Sequence, residues 1–292
     1  MKRTVFFLCL LLLSFINYSQ SNPLNIVVIG AHPDDCDIDA GGTAILFSKM
    51  GHRVKFVSLT NGDAGHYAMG GGELAKVRIA EAKEAGKRFG VEYVVLDNHD
   101  GELMPTLENR LKVIREIRKW KADIVIAPRP NDYHPDHRYT GILVQDAAFM
   151  VIVPNIAPEV PALKKNPVFL YSEDKFQRPN SFKPDIAINI DSVFNQKIYA
   201  MSAHESQFFE WLPWLSGNMK NVPKDEKDRL KMLAKWRYKP LSETTKECLK
   251  KWYGEKKASM TKYAEIFEIC EYGSQPTEDE IHELFPMLLK KD

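Results

Sequence analysis

The chain has 292 residues, of which 44% are hydrophobic and 27% charged, with 40 basic side chains against 39 acidic ones. Ordinary apolar content and a formal net charge of +1 exclude a disordered chain and leave no electrostatic footprint for nucleic acid. At roughly 150 residues per domain, the length allows one large domain or a core with an appendage, and such a core needs no disulfide framework.

Lys2 and Arg3 precede an apolar run from Val5 to Leu13, which Phe15 and Ile16 continue before Asn17, Ser19, Gln20 and Ser21. A basic start, a short apolar stretch and a polar exit form the layout of a secretory signal peptide. The run falls short of the ~20 residues of a membrane span. The expectation is an exported protein, periplasmic or extracellular, that loses residues 1–20 and keeps no stable membrane span. Cys9 would leave with that segment. Of Cys36, Cys248 and Cys270, the last two have the choice of pairing or remaining free.

From Asn25 onward, strand and helix patterns alternate. The run at 25–30 is a continuous β-branched stretch, as expected of a strand buried on both faces. A helix is predicted from Gly41 to Met50, then a strand at 53–60, a helix from Glu73 to Phe89 and a strand at 91–97. Leu107 to Trp120 has amphipathic helical spacing, 122–128 reads as the fourth strand, and a helix is predicted from His137 to Met150. Strands at 168–173 and 185–190 and a helix from Val193 to about Ser206 follow. This alternation predicts an α/β fold, a Rossmann-like, doubly wound and mostly parallel sheet with right-handed crossovers. After about Phe208 the chain is rich in Trp, Lys and Glu and shows no clear strand pattern. Residues 208–292 read as a helical or irregular appendage packed on the catalytic domain at 21–207.

In open parallel sheets, ligands bind beyond the carboxyl ends of the strands, where the strand order reverses. Five of the eight His (32, 66, 99, 134 and 137) fall in the four loops that follow the first four strands. Strands one and four usually flank the reversal, so AHPDD (31–35) and HPDH (134–137) are expected to face one another. His32, Asp34 and Asp35 offer an imidazole and two carboxylates; His134, Asp136 and His137 offer two imidazoles and a carboxylate. Three N/O ligands with an open position is the layout of a catalytic zinc site, and a set without cysteine also tolerates other divalent ions. Other readings fail on residue identity. Asp35, Asp37 and Asp39 imitate the start of a calcium loop, but Ala40 stands where glycine is required and Leu46 where the bidentate glutamate belongs. Neither GxGxxG nor GxSxG occurs.

AHPDD with Gly41 and Gly42, LTNGDAG (59–65) and HPDH together resemble the PIG-L/LmbE family of zinc-dependent N-acetylglucosaminyl deacetylases. Arg78 with Glu81, Asp100 with Gly101, and AHESQ (203–207) extend the resemblance over roughly residues 25–207. It implies Zn2+ held by His32, Asp35 and His137, with Asp34 as the general base toward the attacking water. It also implies that His134 stabilises the oxyanion as an imidazolium or protonates the leaving amine, with Asp136 orienting it. Arg78, Asp100 and His204 are candidate substrate contacts, although an Arg78–Glu81 ion pair and a capping role for His204 are open alternatives. The implied substrate is an amino-sugar or glycoconjugate bearing an N-acetyl group. Other readings are a metal-dependent amidase on another N-acyl compound and a carbohydrate-binding protein with a structural metal. One departure is Cys36, where the family usually carries Glu. Trp211, Trp214 and Tyr253 have the composition of a sugar-stacking face, but at helical or turn spacing such a cluster is more often core.

Overall fold

The computed structural model of the protein describes residues 22–288, so the leader expected at 1–20 lies outside the described residues. The strands are β1 (Asn25–Gly30), β2 (Arg53–Thr60), β3 (Glu92–Asn98), β4 (Ile124–Ala127), β5 (Val168–Ser172), β6 (Ile186–Asn189) and β7 (Ala264–Gly273). Between them run α1 (Asp35–Lys49), α2 (Gly71–Phe89), α3 (Leu107–Trp120), α4 (Pro135–Met150) and α5 (Phe194–Met201). A π-turn at Ser206–Trp211 leads into the short α6 (Leu212–Leu215), and α7 (Glu226–Arg237), α8 (Glu243–Met260) and α9 (Glu278–Leu284) complete the described chain.

All strands belong to one sheet in the order β3-β2-β1-β4-β5-β7-β6. β3, β2, β1, β4 and β5 pair in parallel, as the unbroken apolar runs predict. Successive residues of β1 serve opposite faces. Ile26 and Val28 join α1, α2, α5 and α8 in one core, while Val27 and Ile29 join α3 and α4 in the other. The chain winds outward through β2 and β3, then returns to place β4 on the other side of β1. The order therefore reverses between β1 and β4, as predicted, and a crevice opens at their carboxyl ends.

The C-terminal region departs from its expectation. Far from lacking strands, it supplies β7, which pairs antiparallel with both β5 and β6 and joins them into the sheet. Glu265 on β7 accepts from Gly42 N–H at 2.8 Å, from Thr43 N–H at 2.7 Å and from Lys197 Nζ at 2.6 Å. The appendage is thereby tied to the interior of α1.

Helix α1 begins six residues earlier than predicted, at Asp35, with Gly41 and Gly42 in its middle. Those glycines permit close packing: a Cβ on Gly41 would lie 2.7 Å from the Phe89 ring, and one on Gly42 would lie 2.8 Å from Ile190. Cys36, Cys248 and Cys270 are all free and buried, so the Cys248–Cys270 pair does not form. Among the described residues, no helix is long and apolar enough to cross a membrane.

Candidate metal and catalytic site

The AHPDD turn is shaped by a close approach and by one unusual backbone conformation. A Cβ on Gly30 would lie 2.6 Å from the Asp35 Cβ, so only glycine lets the chain leave β1 this tightly. Asp34 then adopts φ 145°, a conformation that side-chain-bearing residues avoid and that recurs at functional sites. A buried network holds it. Asp34 N–H donates to Tyr93 Oη at 3.0 Å, the Tyr93 hydroxyl donates to Asp37 at 2.9 Å, and the other Asp37 oxygen meets His204 Nε2 at 3.0 Å.

Asp35 opens α1, and its Oδ2 accepts from Ala31 N–H at 2.9 Å and His32 N–H at 2.8 Å. The same oxygen lies 3.4 Å from His32 Nδ1 and 3.5 Å from His137 Nε2, while those two nitrogens are 3.2 Å apart. The outer nitrogens of both rings have carboxylate partners. His32 Nε2 meets Asp100 Oδ1 at 3.0 Å and Asp136 Oδ2 at 3.3 Å, and His137 Nδ1 meets Asp132 Oδ1 at 3.2 Å. With their protons on the outer nitrogens, both imidazoles turn lone pairs inward toward a third lone pair on Asp35. In that protonation state three convergent acceptors would suit a cation, and carboxylate-backed histidines are the usual supports of metal ligands. Their mutual spacing matches the edges of a tetrahedron with ligand bonds of ~2.0–2.1 Å. The residues thus fit a divalent ion.

The charge balance tells the same story. Burial alone would lower the pKa of His32, but Asp100, Asp136 and Asp35 together raise it well above its ordinary value. Burial likewise opposes charge on His137, yet Asp35 and Asp132 raise it to about 9. Burial would push Asp35 up, but the His137 and His32 rings hold it well below the carboxylate range. The pocket is short of positive charge and draws it from whatever is present.

Asp34 stands beside this triangle without belonging to it. Its carboxyl is pushed up to about 7 by burial and by the neighbouring Asp35 charge, and its Oδ2 accepts from Gln207 Nε2 at 3.0 Å. His134 caps the N-terminus of α4, its Nδ1 accepting from Asp136 N–H at 3.2 Å. Its proton therefore sits on Nε2, and burial with the neighbouring His32 and His137 lowers its pKa. The direction of that shift favours a neutral His134 ring. One of its nitrogens also lies within 4.8 Å of those of His32 and His137, which makes a second possible triad. Asp35 Oδ2, at 3.4 Å from His32 Nδ1 and 3.5 Å from His137 Nε2, is placed to act as the third ligand.

Several expected contacts lie elsewhere. The fully buried Asp136 carboxylate accepts from Gly101 N–H at 2.7 Å and Leu103 N–H at 3.2 Å and backs His32; only its backbone N–H meets the His134 ring. Asp100 is likewise committed to His32. His204 is fully buried on Asp37, out of reach of any substrate and not a helix cap. Arg78 is buried under the loop after β2, with Nη2 donating to Gly65 O at 2.7 Å. Glu81, its suggested ion-pair partner, instead accepts from Ser206 N–H at 2.8 Å and Ser206 Oγ at 2.6 Å. The Cys36 thiol donates to Val28 O at 3.4 Å inside the core, so the residue at this position faces away from the site. Tyr253 is core, whereas Trp211 and Trp214 lie toward the surface.

Three residues with clear positions went unassigned in the sequence. Asp132 supports His137, and Gln207 holds Asp34. Asp63 accepts from Asp100 N–H at 3.0 Å and meets His99 Nδ1 at 2.6 Å, fixing the loop after β3. The rule that a ligating histidine has a carboxylate behind it would have pointed to Asp132; Asp63 and Gln207 lie inside LTNGDAG and AHESQ, stretches that carried the resemblance without giving either residue a role.

Residues 27–148 match the family described as GlcNAc-PI de-N-acetylase, PIG-L. The diacetylchitobiose deacetylase of Thermococcus kodakarensis is 32% identical over 219 residues, which span 70% of this chain and 81% of that one. The chain belongs to the PIG-L family. Another relative is a probable N-acetyl-alpha-D-glucosaminyl L-malate deacetylase 2 of Bacillus cereus, 26% identical over 227 residues, 74% of this chain and 98% of the relative. A solved structure of N,N'-diacetylchitobiose deacetylase from Pyrococcus horikoshii, with an inhibitor bound, superposes with a TM-score of 0.63 and 27% identity, covering 84% of this chain and 83% of that one. The PIG-L match takes in both loops that build the His32–Asp35–His137 triangle. Gln207 and the aromatic segment after it lie beyond the matched residues.

Proposed function

We propose that the protein is a zinc-dependent N-deacetylase that removes the acetyl group from an N-acetylglucosamine-type sugar or glycoconjugate. The observation that carries this reading is the convergence of three lone pairs, from His32, Asp35 and His137, beside a carboxylate that is not one of them. A structural metal site would have no use for Asp34 at φ 145° or for the donor His134. The diacetylchitobiose and GlcNAc-malate deacetylases among the relatives support the choice of substrate class.

His32, Asp35 and His137 would hold a divalent ion, which would supply Lewis acidity, lowering the pKa of water to about 7 and polarising the acetamido carbonyl. Asp34 takes a proton from the water that adds to the carbonyl carbon, a task matched by a carboxyl titrating near neutrality. Gln207 keeps its oxygen aimed there. His134 Nε2–H donates to the carbonyl oxygen as charge develops on it, which a neutral imidazole does as a fixed dipole. The carbon–nitrogen bond then breaks, the amine leaves with the proton that Asp34 gained, and acetate is released.

The test is acetate release from N-acetylglucosamine and N,N'-diacetylchitobiose by zinc-loaded protein, before and after chelation. Release that stops on chelation and returns with Zn2+ is expected; no acetate from either sugar at full metal occupancy would overturn the reading. We place the reaction outside the cytoplasm on the strength of the Lys2–Ser21 segment. The corresponding measurement is the N-terminal sequence of the exported protein, expected near residue 20; a cytoplasmic chain retaining Met1 would overturn that location.

A further inference from the structure

A cavity of about 130 Å³ lies one helical turn along α1 from the metal triangle. Its lining includes Ile38 and Asp39 of α1, Phe194 of α5, Arg237 of α7, Leu241 and Tyr263. Asp35 and Asp39 are four residues apart and so share a face of α1. The charges of Asp35 and His137 are both felt at Asp39, which Ser172 holds at the carboxyl end of β5, its Oγ donating at 2.7 Å. The Phe194 and Tyr263 rings stack at 3.6 Å and 7°, giving the cavity a rigid aromatic component.

Three cations and three carboxylates line the cavity, and four of the six are paired. Lys197 meets Glu265 at 2.6 Å, and Lys239 meets Glu173 at 3.7 Å. Arg237, the last residue of α7, is half-buried and makes no hydrogen bond or ion pair with any described residue. Burial lowers its pKa, and Asp39, Asp34, Glu173 and Glu265 counter that only from beyond ion-pair distance. A guanidinium stays charged even so, and its forked donors are matched by the two oxygens of a carboxylate. Size narrows the choice further. An apolar cavity of roughly 150 Å³ takes one benzene ring, so this one admits a molecule of a few heavy atoms and no pyranose. Asp39 and Glu173 oppose a tightly held anion, so the ligand binds weakly and leaves readily.

We infer that this cavity is a binding site for a short monocarboxylate, held by the Arg237 guanidinium apart from the metal ligands. Acetate is the monocarboxylate that the proposed reaction itself releases, and the cavity is then a resting place for that product on its way out. The inference rests on the deacetylase reading above for the source of its ligand, and on Arg237 and the cavity alone for the site.

The experiment titrates sodium acetate into the zinc-loaded protein and reads binding by calorimetry and by the fluorescence of Trp236, the neighbour of Arg237 in sequence. A Kd on the order of 1 mM is expected, as suits a ligand of four heavy atoms. Acetamide, which has the shape without the charge, should bind about tenfold or more weakly. Arg237→Gln should weaken acetate by a similar factor, and Arg237→Lys should keep part of the affinity. Leu241→Trp, which fills the cavity and leaves Arg237 in place, should also lose acetate. Lys231→Gln, at a 66% exposed side chain on the same helix, should change nothing. Asp35→Ala, expected to lose the metal, should still bind acetate. In turnover of an N-acetylated sugar, added acetate should inhibit near its Kd, and less so in Arg237→Gln. Acetate binding that survives Arg237→Gln and disappears in Asp35→Ala would put the anion on the metal and overturn the inference. Binding that depends on Arg237, with no acetate released from any sugar, would keep the site and remove the deacetylase as its source. Sugar deacetylation by a protein that binds no acetate would keep the enzyme and remove the site.

Discussion

His32 Nδ1 and His137 Nε2 approach to 3.2 Å although neither is a donor when the outer nitrogens of both rings keep their protons for carboxylates. A cation shared between them, as proposed, would account for the approach. His137→Ala and Asp35→Ala are therefore expected to lose metal and activity together. Asp132→Asn, which weakens the support behind His137, should lower metal affinity about 10- to 100-fold while leaving the ligands in place. Metal content of the purified variants and a competition titration with a chelator decide it. Full metal retention by Asp35→Ala would move the third ligand to His134.

Asp34 and Asp35 are neighbours with separate tasks. Asp34→Asn should keep its metal while kcat falls by about 10² to 10⁴, the usual worth of a general base. Gln207→Ala should lower kcat more than it changes KM, because Gln207 touches the base and not the ligands. Metal stoichiometry and steady-state kinetics on the same preparations read both. A metal-free Asp34→Asn protein would show that the two aspartates exchange roles.

The Lys197–Glu265 pair is buried, with side-chain exposures of 7% and 5%. Its carboxylate also takes two backbone N–H groups from α1, so removing it strands three donors. Glu265→Ala is expected to cost about 3–5 kcal/mol, the range for breaking a buried pair. A fall in Tm of roughly 10 °C would follow for a protein of this size. Replacing both partners with apolar residues should recover part of that loss; a thermal melt of the single and double variants makes the comparison.

Asp39 gives a pH dependence of known sign. Burial and the nearby Asp35 charge push its carboxyl up to about 6, although Ser172 Oγ donates to it at 2.7 Å. Unfolded, the same group titrates near 3.9. The folded state therefore holds this proton more tightly, and its ionisation destabilises the fold above about pH 6. Asp39→Asn should gain on the order of 1 kcal/mol at pH 8, somewhat less than the full shift implies because part of the side chain reaches solvent. The gain should shrink as pH falls through 6 and vanish below about 4, where the group is protonated in both states. Denaturant melts at three pH values measure it.

The parallel half of the sheet was legible because β1, β2 and β4 are buried on both faces and so read as unbroken apolar runs. The site was legible for a related reason: strand order places the loops after β1 and β4 side by side, and both carry histidine and aspartate. β7 was not. Its glutamates at 265, 268 and 271 recur every third residue, which hides a period of two. In the fold Glu265 is taken by α1 and Lys197, while Glu268 accepts from Lys183 N–H at 3.0 Å with Arg129 nearby. Partners so distant in sequence leave no local trace. His204, Arg78 and Asp100, expected as substrate contacts, likewise have partners that only the packing reveals. Their motifs announced importance, but only the packing shows that they build the site from behind.

The insertion of β7 between β5 and β6 sets the order in which the molecule can be made. Every group in the His32–Asp35–His137 triangle precedes residue 138, yet the helix that opens with Asp35 lacks the carboxylate that binds its middle turn until residue 265 emerges. Until then β5 also presents an unpaired edge, an open template for association with other chains. A nascent chain released early would thus hold all its metal ligands in an incomplete scaffold. Late strand pairing of this kind is slow, since the loop it closes is long. The site built by residues 32–137 thus leans on a strand that begins only at Ala264.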